Sequence, residues 1–175
     1  MNIEEIFKLL DEQFPDAVEL DKIGDKPPVA VILLPVRFHE IMTFLRNSED
    51  LNFDSLESLS GVDYPDKENI NVIYHLFSTT HLHSLTVKIH LKRKEPLIDT
   101  VCDIWKIANW HERECYDLFG VEFKSHPELR RILLPDDWEG FPLRRDYKTP
   151  ESYCGMSIKG SLEESAGKGG RKHIR

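Results

Sequence analysis

The sequence predicts an α+β fold: a two-layer domain with a mixed sheet and helices on one face, followed by an extended loop-rich C-terminal segment. Three observations lead there. Helical and strand periods alternate up to Gly120; the strand patterns include both a continuous apolar run and a clean alternation; and beyond Gly120 neither period persists while prolines recur. The expected organisation is a globular α+β unit over residues 1–120, an extended segment over 121–153 that docks on a partner, and a mobile polar tail over 154–175.

Ile3, Ile6, Phe7, Leu10 and Phe14 recur at three- and four-residue intervals, which lines one face of a helix over about residues 3–14 that Pro15 stops. The apolar run from Val29 to Leu34, inside "PPVAVILLP", has the length and proline borders of a strand covered on both faces. Pro35 can open a second helix, "VRFHEIMTFLRN", with Phe38, Ile41, Met42 and Leu45 as its buried stripe. "GVDYPDKEN" reads as a turn-rich connector, and after it "INVIYHLFS" and "HSLTVKIHLKR" read as neighbouring antiparallel strands. In the second of these, Leu85, Val87, Ile89 and Leu91 alternate with Ser84, Thr86, Lys88 and His90, so one face is wet. Asp99 can cap a helix in which Val101, Ile104, Trp105 and Ala108 share a side; the helical signal resumes at Glu112 and runs to Gly120 as C-cap.

From Val121 onward prolines at 127, 135, 142 and 150 punctuate a stretch that fits no template for long. So long a connection without secondary structure is uncommon in a compact domain, and such segments are usually functional or ordered by a partner. The tail "CGMSIKGSLEESAGKGGRKHIR" sets Lys159, Lys168, Arg171, Lys172 and Arg175 against Glu163 and Glu164.

A net charge of -8 and a pI near 5.5 argue against a nucleic-acid binder, which needs a concentrated excess of Lys and Arg. Cys102, Cys115 and Cys154 are odd in number and widely spaced, so they offer neither a disulfide framework nor a CxxC pair and read as free thiols of a reducing cytoplasm. "MNIEEIFKLLDEQF" lacks the basic and continuous apolar regions of a secretory signal. No apolar run approaches the ~20 residues of a membrane-spanning helix, so membrane contact is expected only through a partner.

Chemistry-bearing residues crowd into "WHERECYDLFG", Trp110 to Gly120. His111 and Glu112 begin an HExxH-like pattern, but Cys115 stands where the second His would bind zinc. His111 and Cys115 could still share a helix face and hold a soft metal, though no third ligand is signalled nearby; a stand-alone metalloenzyme is therefore the remote alternative. The histidines of "HLH" at 81–83 read as a satisfied surface pair, and Trp105, Trp110 and Trp138 as core or interface anchors. Glu112, Glu114, Asp117 and Glu122 invite an acid/base reading, yet Arg113, Arg130, Arg131, Arg144 and Arg145 are interleaved with Asp136, Asp137, Glu139 and Asp146. Interleaved Arg and carboxylate point instead to bidentate ion-pair networks that fix the path of the chain and its partner. "SAGKGG" fails the GxxxxGK[ST] test, GxGxxG is absent, and three separated cysteines do not make an iron-sulfur cluster.

"ERECYDLFGVEF" followed by "HPELRRILLPDDWEGFPLRRDY", about Glu112 to Tyr147, closely resembles the signature of the thirty-kilodalton subunit of NADH-quinone oxidoreductase, the one lettered C in respiratory complex I. Ser125 stands where Gly commonly precedes His-Pro, and Phe141 where His, Tyr or Trp is frequent. The resemblance implies a hydrophilic subunit of the peripheral arm, with no cofactor of its own, in a complex that uses iron-sulfur clusters, quinone and NADH with FMN. It implies partners among the other subunits of complex I, chiefly the one lettered D together with the one lettered B, which frame the quinone pocket. It further implies a place on the cytoplasmic side of a bacterial inner membrane and an enzyme label, translocase, held through membership of the complex. Carried onto this chain, Glu112, Arg113, Glu114, Asp117, Arg130, Arg131, Asp136, Asp137, Trp138, Arg144 and Arg145 are the positions assigned to the fold and that interface. A homologous subunit serves related membrane-bound hydrogenases and deazaflavin-linked dehydrogenases, which is the alternative assignment.

Overall fold

In the computed structural model, which describes residues 1–21 and 30–157, the first helix, α1 (Ile3–Gln13), starts where its cap permits. The Asn2 side chain accepts the Glu5 backbone N–H at 2.9 Å and the Glu5 carboxylate accepts the Asn2 N–H at 2.9 Å, so two otherwise orphaned donors are satisfied. Two short strands, β1 (Val18–Asp21) and β2 (Ala30–Leu33), follow and pair antiparallel. "VELD" is too short to show a period, and the sequence pattern alone does not reveal it. A single 3-10 turn at Pro35–Arg37 leads into α2 (Phe38–Asn47), whose expected stripe of Phe38, Ile41, Met42 and Leu45 is fully buried.

α2 carries the chain to the far edge of the sheet, from which β3 (Ser55–Tyr64), β4 (Asn69–Ser78) and β5 (His83–Lys92) follow, β4 pairing antiparallel with β3 and with β5. The strand order is β1-β2-β5-β4-β3, with β2 and β5 the parallel pair, so the sheet is mixed as expected. β2 has a neighbour on either side, as its continuous apolar run requires. On β5 the odd-numbered residues are buried while Ser84, His90 and Lys92 are exposed, so the wet face is where the alternation puts it.

Two expectations are corrected. "GVDYPDKEN" is not a connector throughout: Gly61 to Tyr64 complete β3, pairing with Val72 to Asn69, and only Pro65–Glu68 makes the turn. A register shift between Leu56 and Ser58 breaks the period of two along β3, which hides the strand from a pattern search. Nor does Asp99 cap a helix; it ends a short strand, β6 (Leu97–Asp99), and residues 100–107 form successive turns. Val101, Trp105 and Ala108 are buried as the helical period demands, so spacing was a sound guide to burial and a poor one to continuity.

α3 (Ala108–Phe119) links β6 to β7 (Glu122–Lys124) as a parallel crossover. Gly120 ends it in the left-handed region at φ 71°, donating to Tyr116 O at 2.8 Å, and a Cβ there would lie 2.5 Å from the Phe141 ring. Gly61 performs the complementary service on β3, where a Cβ would meet the Phe119 ring at 2.7 Å; its absence lets α3 lie close against the sheet. After β7 the chain runs in turns to a minimal hairpin, β8 (Ser152–Tyr153) with β9 (Met156–Ser157). Residues 158–175 of the expected polar tail, and Val29 of the apolar run, lie outside the described residues. No helix among the described residues is long and apolar enough to cross a membrane.

Candidate docking interface

α3 buries not only Ala108 and Cys115 but also Glu112, Arg113 and Asp117. Charged groups are tolerated inside only when fully partnered, so where their bonds go defines the site.

Asp117 has no solvent exposure and receives four donors. Its Oδ2 accepts the successive backbone N–H groups of Ile132 at 3.0 Å, Leu133 at 2.7 Å and Leu134 at 3.0 Å, and its Oδ1 accepts Arg131 Nη1 at 2.8 Å. Three consecutive amides converging on one carboxylate form a nest, here closed by the chain's own side chain. Burial alone would raise this carboxyl; the amides of Leu134 and Leu133, the Arg131 guanidinium and the Ile132 amide outweigh it and hold the group below its ordinary value. Arg131 then reaches onward, donating to Trp138 O at 3.1 Å and Gly140 O at 3.0 Å.

A second anchor lies on β3. Asp63 accepts Arg93 Nε at 2.7 Å and Nη2 at 3.0 Å, and the Arg145 backbone N–H at 2.8 Å. Arg93 also pairs with Asp146, and the hydrogen bonds to Asp63 and Asp146 push its pKa far upward. Arg144 donates to Phe119 O at 2.7 Å and stacks 4.8 Å from the Phe141 ring, its pKa lowered by burial. Arg113, 3% exposed, reaches Arg130 O at 3.3 Å and lies 5.0 Å from the Trp110 ring.

Glu112 forms the third anchor. It accepts Thr100 Oγ1 at 2.5 Å, the Val101 N–H at 2.8 Å and Cys102 Sγ at 3.2 Å, which draws the turn after β6 onto α3. Burial raises its pKa, with these donors pulling the other way, and burial pushes the Cys102 thiol up to about 12. His126 Nε2 stands 3.9 Å from Glu112 and 3.3 Å from Asn109 O.

The structure thus gathers Cys102, Glu112 and His126, with one ligand-type atom from each within 4.8 Å, rather than the His111 and Cys115 pair that spacing offered. A cation would need the lone pair on His126 Nε2. The Glu128 N–H donates to Nδ1 at 3.0 Å, which leaves the ring proton on Nε2, facing Glu112 and Asn109 O. Cys102 and Glu112 thus form a hydrogen-bonded pair, and His126, tied to Asn109 O, stands beside it. Cys102 also borders a cleft of about 690 Å³ whose wall includes His39, Asp103, Lys124 and Pro127; His39 pairs with Asp103 across it at 2.9 Å.

The residues expected at an interface therefore divide. Glu112, Arg113, Asp117, Arg131 and Arg144 are engaged inside the chain. Glu114, Arg130, Asp136, Asp137 and Arg145 are exposed, with Arg130 paired to Glu128 at 2.8 Å and Asp137 accepting Tyr153 OH at 2.9 Å. That bond is the main cause lifting the Tyr153 pKa to about 12. Trp138 is half-buried, its ring 5.2 Å from that of Tyr153, and its Nε1, like Tyr147 OH, is buried without a hydrogen-bond partner. Among the remaining tryptophans Trp105 is core, donating to Phe53 O at 3.0 Å, while Trp110 is 59% exposed. His83 is buried and bonded to Leu51 O, and His81 is bonded to Glu49 O, so both histidines of the "HLH" stretch have partners. Asp63, Arg93, Thr100 and His126 were not legible as site residues: the first falls in the stretch read as a connector, and the others show no spacing signal.

By class this is a small α+β unit in which part of the signature charge turns inward and shapes an exposed, loop-rich segment. Residues 31–153 match the family described as respiratory-chain NADH dehydrogenase, 30 Kd subunit, and the chain belongs to that family. The NADH-quinone oxidoreductase subunit of the same letter, C, from Chlorobium phaeobacteroides is 42% identical over 153 residues, covering 87% of this chain and 92% of its own. Its counterpart of that letter in the F(420)H(2) dehydrogenase of Methanosarcina mazei is 38% identical, over 85% of this chain and 93% of its own. Among solved structures, the trypsin-resistant fragment (1-134) of Nqo5 superposes with a TM-score of 0.61 at 29% identity, covering 74% of this chain and all of that fragment. A component of the membrane-bound sulfane sulfur reductase, an archaeal respiratory membrane complex, shares the fold at a TM-score of 0.68 and 22% identity, over 98% of this chain and 95% of its own. The relatives are thus subunits of oxidoreductase complexes.

Proposed function

We propose that this chain is the hydrophilic, cofactor-free subunit of the peripheral arm of a proton-translocating NADH-quinone oxidoreductase, on the cytoplasmic side of the inner membrane. It braces the neighbours lettered D and B around the quinone site while electrons pass from NADH through FMN and iron-sulfur clusters to quinone. The observation that carries this reading is the inward commitment of the signature charges: Glu112, Asp117, Arg131 and Arg144 bond within the chain and shape the path of residues 131–147. Electron transfer over fixed distances requires that cluster and quinone be held rigidly, and a surface shaped before docking loses little further entropy on binding. The chain's part is positioning, and the translocase label comes to it through the complex. Residues 121–153 are the docking segment.

The 38% identity to the F(420)H(2) dehydrogenase component favours one second reading, the same brace in a complex fed by another donor. Affinity purification of the tagged chain from its own membranes in mild detergent, with mass spectrometry and assays of quinone reduction from NADH and from deazaflavin, tests both. Co-recovery of the two quinone-site neighbours with NADH-linked activity is expected; deazaflavin-linked activity supports the second reading, and a chain recovered alone contradicts both.

A further inference from the structure

The five-stranded sheet has two edges, and they are not equally closed. β1 offers four residues, a short edge of the kind that resists further pairing. β3 offers ten. Its first half is guarded by the register shift between Leu56 and Ser58 and by the exposed charge of Glu57. From Leu59 to Tyr64 the pairing with β4 is regular, and that stretch holds no Lys, Arg, Glu or Pro. Its one charge, Asp63, is buried and bonded to Arg93.

The turn at Glu68 fixes which backbone groups face outward. The Arg93 N–H donates to Glu68 O at 2.8 Å, so that carbonyl points toward β5; across the trans peptide the Asn69 N–H points the other way, toward Tyr64 of β3. Backbone direction alternates along an antiparallel pair. Ser60, Val62 and Tyr64 therefore commit their N–H and C=O groups to β4, whereas Leu59, Gly61 and Asp63 turn theirs out of the sheet. Among the described residues none of these outward groups has a hydrogen-bond partner. Their cross-strand neighbours Tyr74, Val72 and Ile70 have no exposure at all, while Leu59 retains 5%, Asp63 3% and Gly61 more, so solvent reaches the edge.

Three donors and three acceptors alternating along a strand are matched by the backbone of another extended chain. The open stretch also adjoins the docking segment: Asp63 Oδ2 accepts the Arg145 N–H at 2.8 Å, and Phe119, whose ring closes over Gly61, accepts Arg144 Nε at 2.7 Å. A second copy is a poor occupant, because a net charge of -8 opposes pairing of like with like. We infer that Leu59 to Tyr64 is a strand-addition site, where the protein that docks on residues 131–147 supplies an extended segment as the sixth strand of the sheet. The inference rests on the docking reading above and deepens it: buried charges shape the segment, and main-chain bonds at the β3 edge hold the partner.

The test compares hydrogen exchange, resolved to single amides, in the free full-length chain and in the complex purified through a tag on this chain. The amides of Leu59, Gly61 and Asp63 should exchange fast in the free chain and slow by roughly tenfold or more in the complex, while those of Ser60, Val62 and Tyr64 are slow in both. In parallel, Ser60→Lys with Val62→Lys, which places charge along the edge, should cut recovery of the partner by roughly tenfold with circular dichroism unchanged. Ser84→Lys, on the same face but on the internal strand β5, should leave recovery intact. Partner recovered with the three outward amides exchanging as in the free chain would overturn the inference and leave the docking reading standing. Equal loss in Ser84→Lys would overturn it too, as would protection that grows with the concentration of the free chain, the mark of a second copy. If the unsubstituted chain recovers no other protein at all, the docking reading itself falls.

Discussion

The α2 stripe of Phe38, Ile41, Met42 and Leu45 and the Asp117 carboxylate are equally withdrawn from solvent, yet they hold different parts of the chain by different means. The stripe belongs to a continuous apolar core shared by α1, α2, α3 and the sheet, where contact is non-directional and many residues share the work. Residues 121–157 contribute little to that core beyond Val121 and Phe123 and are fixed at a few directional points: Asp117 to the amides of 132–134, Asp63 to the Arg145 amide, Arg131 to the carbonyls of Trp138 and Gly140. The first arrangement tolerates the loss of one contact by shared redundancy. The second concentrates the path of a long loop in a few atoms, so single substitutions there should act locally and steeply.

Asp117→Ala should have the largest effect. It strands three part-buried amides and the Arg131 guanidinium, at about 3–5 kcal/mol of local stability, and should open residues 131–147 to protease while the circular dichroism of the sheet is retained. A core truncation sets the contrast: Leu45→Ala should cost about 2–5 kcal/mol, read as a lower midpoint of the whole urea transition with no selective cleavage of the segment. If both variants gave the same global shift, the two regions would not be separately held. Asp63→Ala should come next, at about 2–3 kcal/mol, releasing Arg93 and the Arg145 amide and freeing residues 144–147 alone. Gly120→Ala combines a left-handed backbone with a collision against Phe141, for about 1–3 kcal/mol; hydrogen exchange should show fraying confined to the end of α3.

The smallest effect is a pH dependence. Burial holds His126 below its ordinary value of about 6.5, with Asn109 O raising it and Arg113 lowering it, while Glu112 and Glu128 also face the ring. Between its folded and unfolded values the folded chain binds fewer protons, so stability rises with pH through that window and is lost as pH falls below it. Glu112, raised by burial, has the opposite sign: stability declines as pH climbs from about 4.3 toward its folded value. Asp117, held low, contributes above about 3.9 and loses that contribution as pH falls through its folded value. Urea midpoints measured across pH should therefore show His126→Gln flattening the rise just below about pH 6.5 while leaving the acid limb in place.

The apolar half of the fold was legible because burial imposes a period. The stripes of α1 and α2, the alternation of β5 and the doubly flanked run of β2 are each a period made visible. β3 escaped because a register shift interrupts its alternation, and residues 100–107 misled because turns of three and four residues bury the same positions as a helix. In the segment, the abundance of Arg and carboxylate announced ion pairs but not their partners, which are Asp117 for Arg131, Glu128 for Arg130, and Arg93 for Asp63 and Asp146; composition does not say which way a charge points. Asp117 and Glu112 point inward, Asp136 and Glu139 outward, and only the former's amide and hydroxyl partners reveal the difference.

The claim underlying all of this is that the segment takes its shape from its own charges before it meets a partner. Hydrogen exchange of the isolated chain, resolved to the amides of Ile132, Leu133 and Leu134, tests it most directly. Protection far above the rate of an open chain, lost in Asp117→Ala while the β4 and β5 amides remain protected, is the expected result. Exchange of those three amides at the open-chain rate in the unsubstituted protein would contradict it, and would mean that the partner, not Asp117, imposes the fold of the segment.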